Sequence, residues 1–221
     1  MTCFVKMLLW KKLHWSCTIG NRRTNDPQGV RRRIVDTAYD TFVRQGYIAT
    51  GMLEIREKAS VSGGAMAHHF PAKCQLGLAV IRDRVTQAVR QTWIEPLDVS
   101  LDAPAAIDLI FGNIISELTY KGSVSGCPLN NMAMEISHHD PEMRAALSEI
   151  FAAWHDALSA KFQADVAAGR TVGMNPNSLA TLVIALYSGA MAIAKTRQDV
   201  GALIDCRTEL AALLASKYRM Q

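Results

Sequence analysis

From residue 30 to residue 218 the chain reads as one helix after another. Apolar residues recur at i, i+3 and i+4, and runs of alternating β-branched residues are scarce. Only 7 prolines and 14 glycines occur, which leaves long stretches with neither. A side-chain period near 3.6 buries one face of a helix, whereas a half-buried strand needs a period of 2. The expected fold class is therefore all-α.

The breaks in this pattern mark out the elements. A first helix is expected over 30–45, with Ile34, Val35, Ala38, Phe42 and Val43 on one face and Gly46 closing it. Thr50 is expected to N-cap a short second helix over 51–59 that offers Leu53 and Ile55 for packing. Ser60-Val61 makes a tight turn, with Ser60 where a left-handed backbone would favour glycine. Ser62 caps a third helix over 63–70, which Pro71 ends. Two short helices joined in this way have the size of a helix-turn-helix unit.

Longer helices follow. One spans 73–95, with Leu76, Val80, Val85 and Val89 inside, and is expected to stop at Pro96. Others cover 104–120, 127–136 and 141–168, the last capped by Asp140. The final pair, 176–195 and 200–218, opens with a segment that is apolar on nearly every side. Such a helix must be covered on more than one face. In a chain of this size a second copy can supply the cover, so a homodimer built through the last two helices is expected, with a monomeric core helix as the alternative.

Composition limits the function classes. The chain is 49% hydrophobic and 20% charged, as soluble globular proteins are. Residues 1–73 carry 12 Lys and Arg against 5 Asp and Glu, while the remainder carries 12 against 15. A basic end on a slightly acidic body suits contact with a polyanion. Five scattered cysteines without a CxxC pair fit a reduced, cytoplasmic protein. Residues 1–28 are basic and partly aromatic with no clear period. Lys6, Lys11 and Lys12 interrupt their apolar run, so no membrane span is expected there, and a disordered extension is the expectation. Three parts are thus expected: the extension (1–28), a helix-turn-helix domain (29–75) and a helical effector-binding and dimerisation domain (76–221).

Residues 32–76 resemble the DNA-binding domain of the TetR/AcrR family of transcriptional regulators. Ala38, Phe42, Gly46, Tyr47, Thr50 and Ile55 occupy the early positions of its pattern. Ala59, Val61, Ser62, Gly64, Met66, His69, Phe70, Lys73 and Leu76 occupy the later ones. The chain departs from the pattern at Ser60 (usually Gly), Ala67 (usually Tyr), Gly63 (often basic) and Arg56 (usually small). From about Gly126 to Asp199, beginning with the stretch GSVSGCPLNNMAMEI, the chain resembles a C-terminal subgroup of the family in which a G-C-[PL]-x-x-N-x-A-x-E stretch begins a helix bordering the ligand cavity.

The resemblance implies a dimeric repressor that holds a palindromic double-stranded DNA operator and releases it on binding a small-molecule effector. The third helix would enter the major groove, where base edges are distinguishable. Ser62, Gly63, Gly64, Ala65, Ala67, His68 and His69 are the candidate contacts. Arg31, Arg32, Arg33, Thr50 and Lys73 would reach the backbone. Trp93, Phe111, Met132, Phe151, Trp154 and Tyr187 are the candidate effector-cavity residues, and Tyr120, Met134 and Met191 lie on the same helices. Met and aromatic residues suit adaptable apolar sites, although ordinary core packing uses them too.

Cys127 stands at a predicted helix start, where unpaired N–H groups can lower a thiol pKa. It is a candidate sensor of electrophiles or oxidants, the alternative being a small buried cysteine. His138, His139 and His155 have neither metal-ligand spacing nor a nucleophile beside them, and no G-x-S-x-G, phosphate loop or H-E-x-x-H occurs. No enzyme, metal or cofactor is expected. The other function left open is a helical small-molecule-binding stress protein with a weakened DNA-binding domain, on account of Arg56, Ser60 and Ala67.

Overall fold

The computed structural model describes residues 26–171, 173 and 175–218. The expected N-terminal extension lies almost wholly outside these residues. Among those described there are only helices, turns and one isolated bridge between Thr171 and Tyr218.

The first helix, α1 (Pro27–Gln45), begins earlier than expected. Asp26 accepts the Gly29 N–H at 2.9 Å and Pro27 occupies the first turn, where its missing N–H costs nothing. Arg31, Arg32 and Arg33 therefore lie on the helix. Ile34, Val35, Ala38 and Phe42 form its buried stripe.

Helix α2 (Met52–Lys58) is capped by Gly51 and not by Thr50. The Thr50 hydroxyl points inward and donates to the Gly46 carbonyl at 2.7 Å, satisfying a group left open at the end of α1. Ile55 is buried, whereas Leu53 faces solvent. Ser60 takes φ 53°. Ser62 caps α3 (Gly63–His69), accepting from the Ala65 N–H at 3.1 Å, and Met66 and Phe70 anchor it to the core.

The next helical run continues past Pro96. It consists of α4 (Lys73–Val80), a π turn (Ile81–Val85), α5 (Thr86–Val89), a second π turn (Arg90–Ile94) and α6 (Glu95–Val99). The second π turn lets the Glu95 N–H bond the Arg90 carbonyl just before Pro96. Wider turns of this kind absorb the ring and the missing donor, so the proline does not end the run. Ion pairs fasten the run to α1: Arg31 meets Asp83 at 2.8 Å, and Arg84 meets Asp36.

The remaining helices are α7 (Ala103–Lys121), α8 (Pro128–Ile136), α9 (Pro141–Ala167), α10 (Pro176–Arg197) and α11 (Gly201–Ala215). Asp102, Asp140 and Asn175 cap α7, α9 and α10 as side-chain acceptors. Helix α10 packs on α9 and α11, and α11 packs on α7. Trp93, Phe111, Trp154 and Tyr187 meet in the centre, with Trp93 and Trp154 at 4.7 Å between ring centroids. At the far end the buried Asp165 carboxylate accepts from Ala103 N–H (2.8 Å), the Arg170 guanidinium (2.7 Å) and the Tyr218 hydroxyl (2.6 Å). This ties α7, α9 and the last described turn together.

Helix α10 is the one described helix long and apolar enough to cross a membrane, yet one side of it is packed in the helical core. Leu182 and Ile193 on α10, with Ile204 and Leu213 on α11, remain exposed.

Candidate nucleic-acid interface and effector cleft

Helix α3 divides cleanly between a buried and an open face. Met66 and Phe70 point inward, while Ser62, Gly63, Gly64, Ala67 and His68 are exposed and Ala65 and His69 are half-buried. The spacing of the two anchors leaves the opposite face free for a groove. The open face is shallow, because Gly63 and Ala67 carry little or no side chain. Arg56 partly fills this gap. A Cβ built on Gly63 would lie 3.9 Å from the Arg56 guanidinium, so α2 places a cation beside the start of α3. Arg56 was legible only as a departure from the family pattern and was not among the expected contacts.

The expected backbone contacts divide in two. Arg32 and Arg33 are exposed and make no ion pair among the described residues. Arg31 is engaged, with its guanidinium on Asp83 and 5.5 Å above the Phe70 ring. Lys73 donates to the Ile48 carbonyl at 3.1 Å and sits 4.5 Å from the Tyr47 ring centroid, and burial lowers its pKa. Thr50 is only 1% exposed and its hydroxyl is spent inside the domain, so the structure removes it from the contact surface.

A cleft of about 500 Å³ opens where α1 meets the larger domain. Tyr39, Asp40, Val43 and Arg44 of α1 form one wall. Thr92, Ile114, Glu117, Pro128, Tyr187 and Met191 are among the residues on the other sides. A smaller void of about 40 Å³ lies deeper, bounded by Trp93, Cys127 and Tyr187. Of the expected cavity residues, Tyr187 lines both spaces, and Trp93 and Cys127 line the inner one. Phe111 and Trp154 back them in the aromatic cluster. Met132 is buried and Phe151 half-buried outside both linings, and Tyr120 and Met134 face solvent at 93% and 84% exposure. The α1 wall was missed because its residues fit the stripe and flanks of an ordinary amphipathic helix.

The tyrosine hydroxyls in this region hold their protons. Burial raises the Tyr39 pKa to about 12, and the charges of Asp40 and Glu117 push it the same way. Burial also raises Tyr187. The Trp154 Nε1 and Asn130 Nδ2 atoms are buried without a hydrogen-bond partner. Such unpaired donors are uncommon in folded proteins.

The expectation of a low-pKa Cys127 thiol is overturned. Cys127 does stand at the N-cap of α8, and the nearby Leu129 and Asn130 N–H groups do lower its pKa. Full burial outweighs them, and the net shift is upward. Among the described residues no three His, Cys, Asp or Glu side chains converge in a metal-binding group.

Comparison with known proteins identifies two matching stretches of the chain. Residues 34–80 match the profile of bacterial regulatory proteins of the tetR family. Residues 103–209 match that of the C-terminal domain of LmrA/YxaF-like transcriptional regulators. The HTH-type transcriptional regulator YxaF of Bacillus subtilis, itself uncharacterised, is 24% identical over 85% of this chain and 96% of its own length. The transcriptional activator FasR of Mycolicibacterium smegmatis is 37% identical over 42% of this chain and 44% of its own. A TetR regulator from Chloroflexus aurantiacus, solved as a crystal structure, superposes with a TM-score of 0.79 at 25% identity, over 88% of this chain and 98% of that one. These matches are regulators and not enzymes. With the two profiles in register along most of the sequence, the chain belongs to the TetR family of transcriptional regulators.

Proposed function

We propose that the protein is a small-molecule-responsive repressor that binds a palindromic DNA operator as a homodimer in the cytoplasm. The observation that carries this is the position of the cleft. Its one wall is α1, the scaffold of the helix-turn-helix unit, so a ligand held there touches the DNA-binding domain directly. A ligand shifts the DNA-bound state only through its different affinity for the two conformations. The exposed face from Ser62 to His68, with Arg32, Arg33 and Arg56 beside it, supplies the DNA surface. The backbone N–H groups at the start of α3 and the histidines carry more of the grip than large side chains do. The apolar residues left open on α10 and α11 supply the dimer interface. The buried Cys127 thiol favours a bound effector over oxidation as the signal.

Footprinting on the intergenic DNA next to the gene is the direct test. The expected result is protection of an inverted repeat with strong salt dependence, since each neutralised phosphate releases counterions. Transcription from the neighbouring promoter should rise on deletion of the gene; a fall would identify an activator, as FasR is named. Absence of any footprint would favour the weakened-domain reading. Against that reading, Ser60 still adopts the turn that glycine usually supplies.

A further inference from the structure

The end of α8 grips the helix-turn-helix unit through one carboxylate. Glu135 Oε2 accepts the backbone N–H of Ile48 at 2.9 Å, in the turn that joins α1 to α2. The same turn is held from the other side by Lys73, whose ammonium bonds the Ile48 carbonyl and feels the Glu135 charge. The fit is close. Gly46 has φ 92°, and a Cβ there would lie 2.6 Å from Glu135 Oε1. An absent side chain at residue 46 therefore makes room for the carboxylate.

The opposite end of α8 belongs to the cleft. Ser125, Gly126 and Pro128 line it. Asn131, one helical turn before Glu135 on the same face, donates to the Ser125 carbonyl at 2.9 Å and accepts from Lys195 of α10 at 3.2 Å. The G-C-P-x-x-N-x-A-x-E stretch thus carries a cleft wall, a fastening to α10 and a fastening to the DNA-binding domain within nine helical residues.

We propose that Glu135 is the positioning residue that fixes the helix-turn-helix unit against the larger domain and thereby sets the operator spacing that the dimer accepts. The proposal rests on the reading of the protein as an effector-responsive DNA-binding dimer. Loss of the bond leaves α1–α3 held mainly by α4 and by the Arg31–Asp83 and Arg84–Asp36 ion pairs, with a wider range of orientations.

Two measurements on the full-length protein test it. The first is amide hydrogen exchange across residues 46–50 without DNA. The second is binding to duplexes carrying the footprinted half-sites at native spacing and at spacings changed by one and two base pairs. E135A removes the acceptor, E135D keeps the charge but shortens its reach, and E135Q keeps a carbonyl acceptor. E135A and E135D should exchange about tenfold faster at Ile48, the scale expected when one charge-assisted bond is lost. Both should lose affinity for the native spacing while discriminating less among spacings. E135Q, which keeps an acceptor but not the charge, should fall between E135A and wild type. Wild-type exchange and wild-type spacing preference in both E135A and E135D would overturn the positioning role of Glu135 while leaving DNA binding intact. A wild-type protein that bound no duplex, yet showed the exchange difference, would overturn the repressor reading and the spacing role with it.

Discussion

The Tyr187 hydroxyl lies against the Cys127 thiol beneath the cleft, and burial pushes both groups toward their protonated forms. The pair joins α10 to the start of α8. Burial, and not this contact, sets the direction of the Cys127 shift, since the Tyr187 hydroxyl by itself lowers it.

Cys74 is exposed and Cys127 is fully buried. In native protein at pH 8, iodoacetamide should modify Cys74 at least about tenfold faster than Cys127, because only an accessible thiolate reacts. Mass spectrometry of timed digests gives the ratio, and mild denaturant should erase it. Comparable native rates would restore Cys127 as a sensor.

Alkaline pH should destabilise the fold. Cys127, Tyr187, Tyr39 and Tyr47 all have raised pKa values, the last two to about 12. Each native group holds its proton more tightly than the unfolded chain does. Their contribution is complete below the unfolded pKa values and is lost as pH rises above about 9. The thermal midpoint should therefore fall steadily from pH 9 to 11. A flat profile would contradict the upward shifts.

Ser60 holds φ 53°, a conformation costly for any residue with a Cβ. S60G should stabilise the protein by about 0.5–1 kcal/mol, the left-handed penalty less the extra freedom of glycine in the unfolded chain. Denaturant titration measures it. A destabilised S60G would mean that the serine hydroxyl contributes more than the turn costs.

Asp165 accepts three hydrogen bonds at 0% exposure. D165A should cost about 3 kcal/mol, since it strands a guanidinium, a phenol and a helix-end N–H together. Urea unfolding followed at Trp fluorescence reports the loss. The effect should be on stability, with operator affinity of the folded fraction unchanged.

Ile193 stands exposed on α10. I193E should shift the protein from dimer to monomer in light scattering and weaken operator binding sharply, because one half-site alone remains available. A dimer that survived the change would place the interface elsewhere.

Much of this protein can be read along the chain. The helical period, the Ser62 cap and the Asp140 cap are local properties, fixed by residues within one turn of each other. The spaced pattern from Ala38 to Leu76 was enough to place the DNA-binding unit. Where reading failed, a competing interaction had won. Thr50 has the right chemistry for a cap, but the carbonyl of Gly46 claimed its hydroxyl. Pro96 is a helix stop in isolation, but packing kept the run going through a π turn. Cys127 sits at a helix N-terminus as expected, and its burial reversed the sign of the pKa shift.

The sequence by itself determined the class of protein and the exposed face of the third helix, because amphipathic spacing and capping act over a few residues. Only the tertiary structure decided where the two domains touch. The α1 wall of the cleft and the Glu135–Ile48 bond join residues far apart in the chain, 87 positions in the latter case. No local period records such a contact; it exists only once the helices have packed.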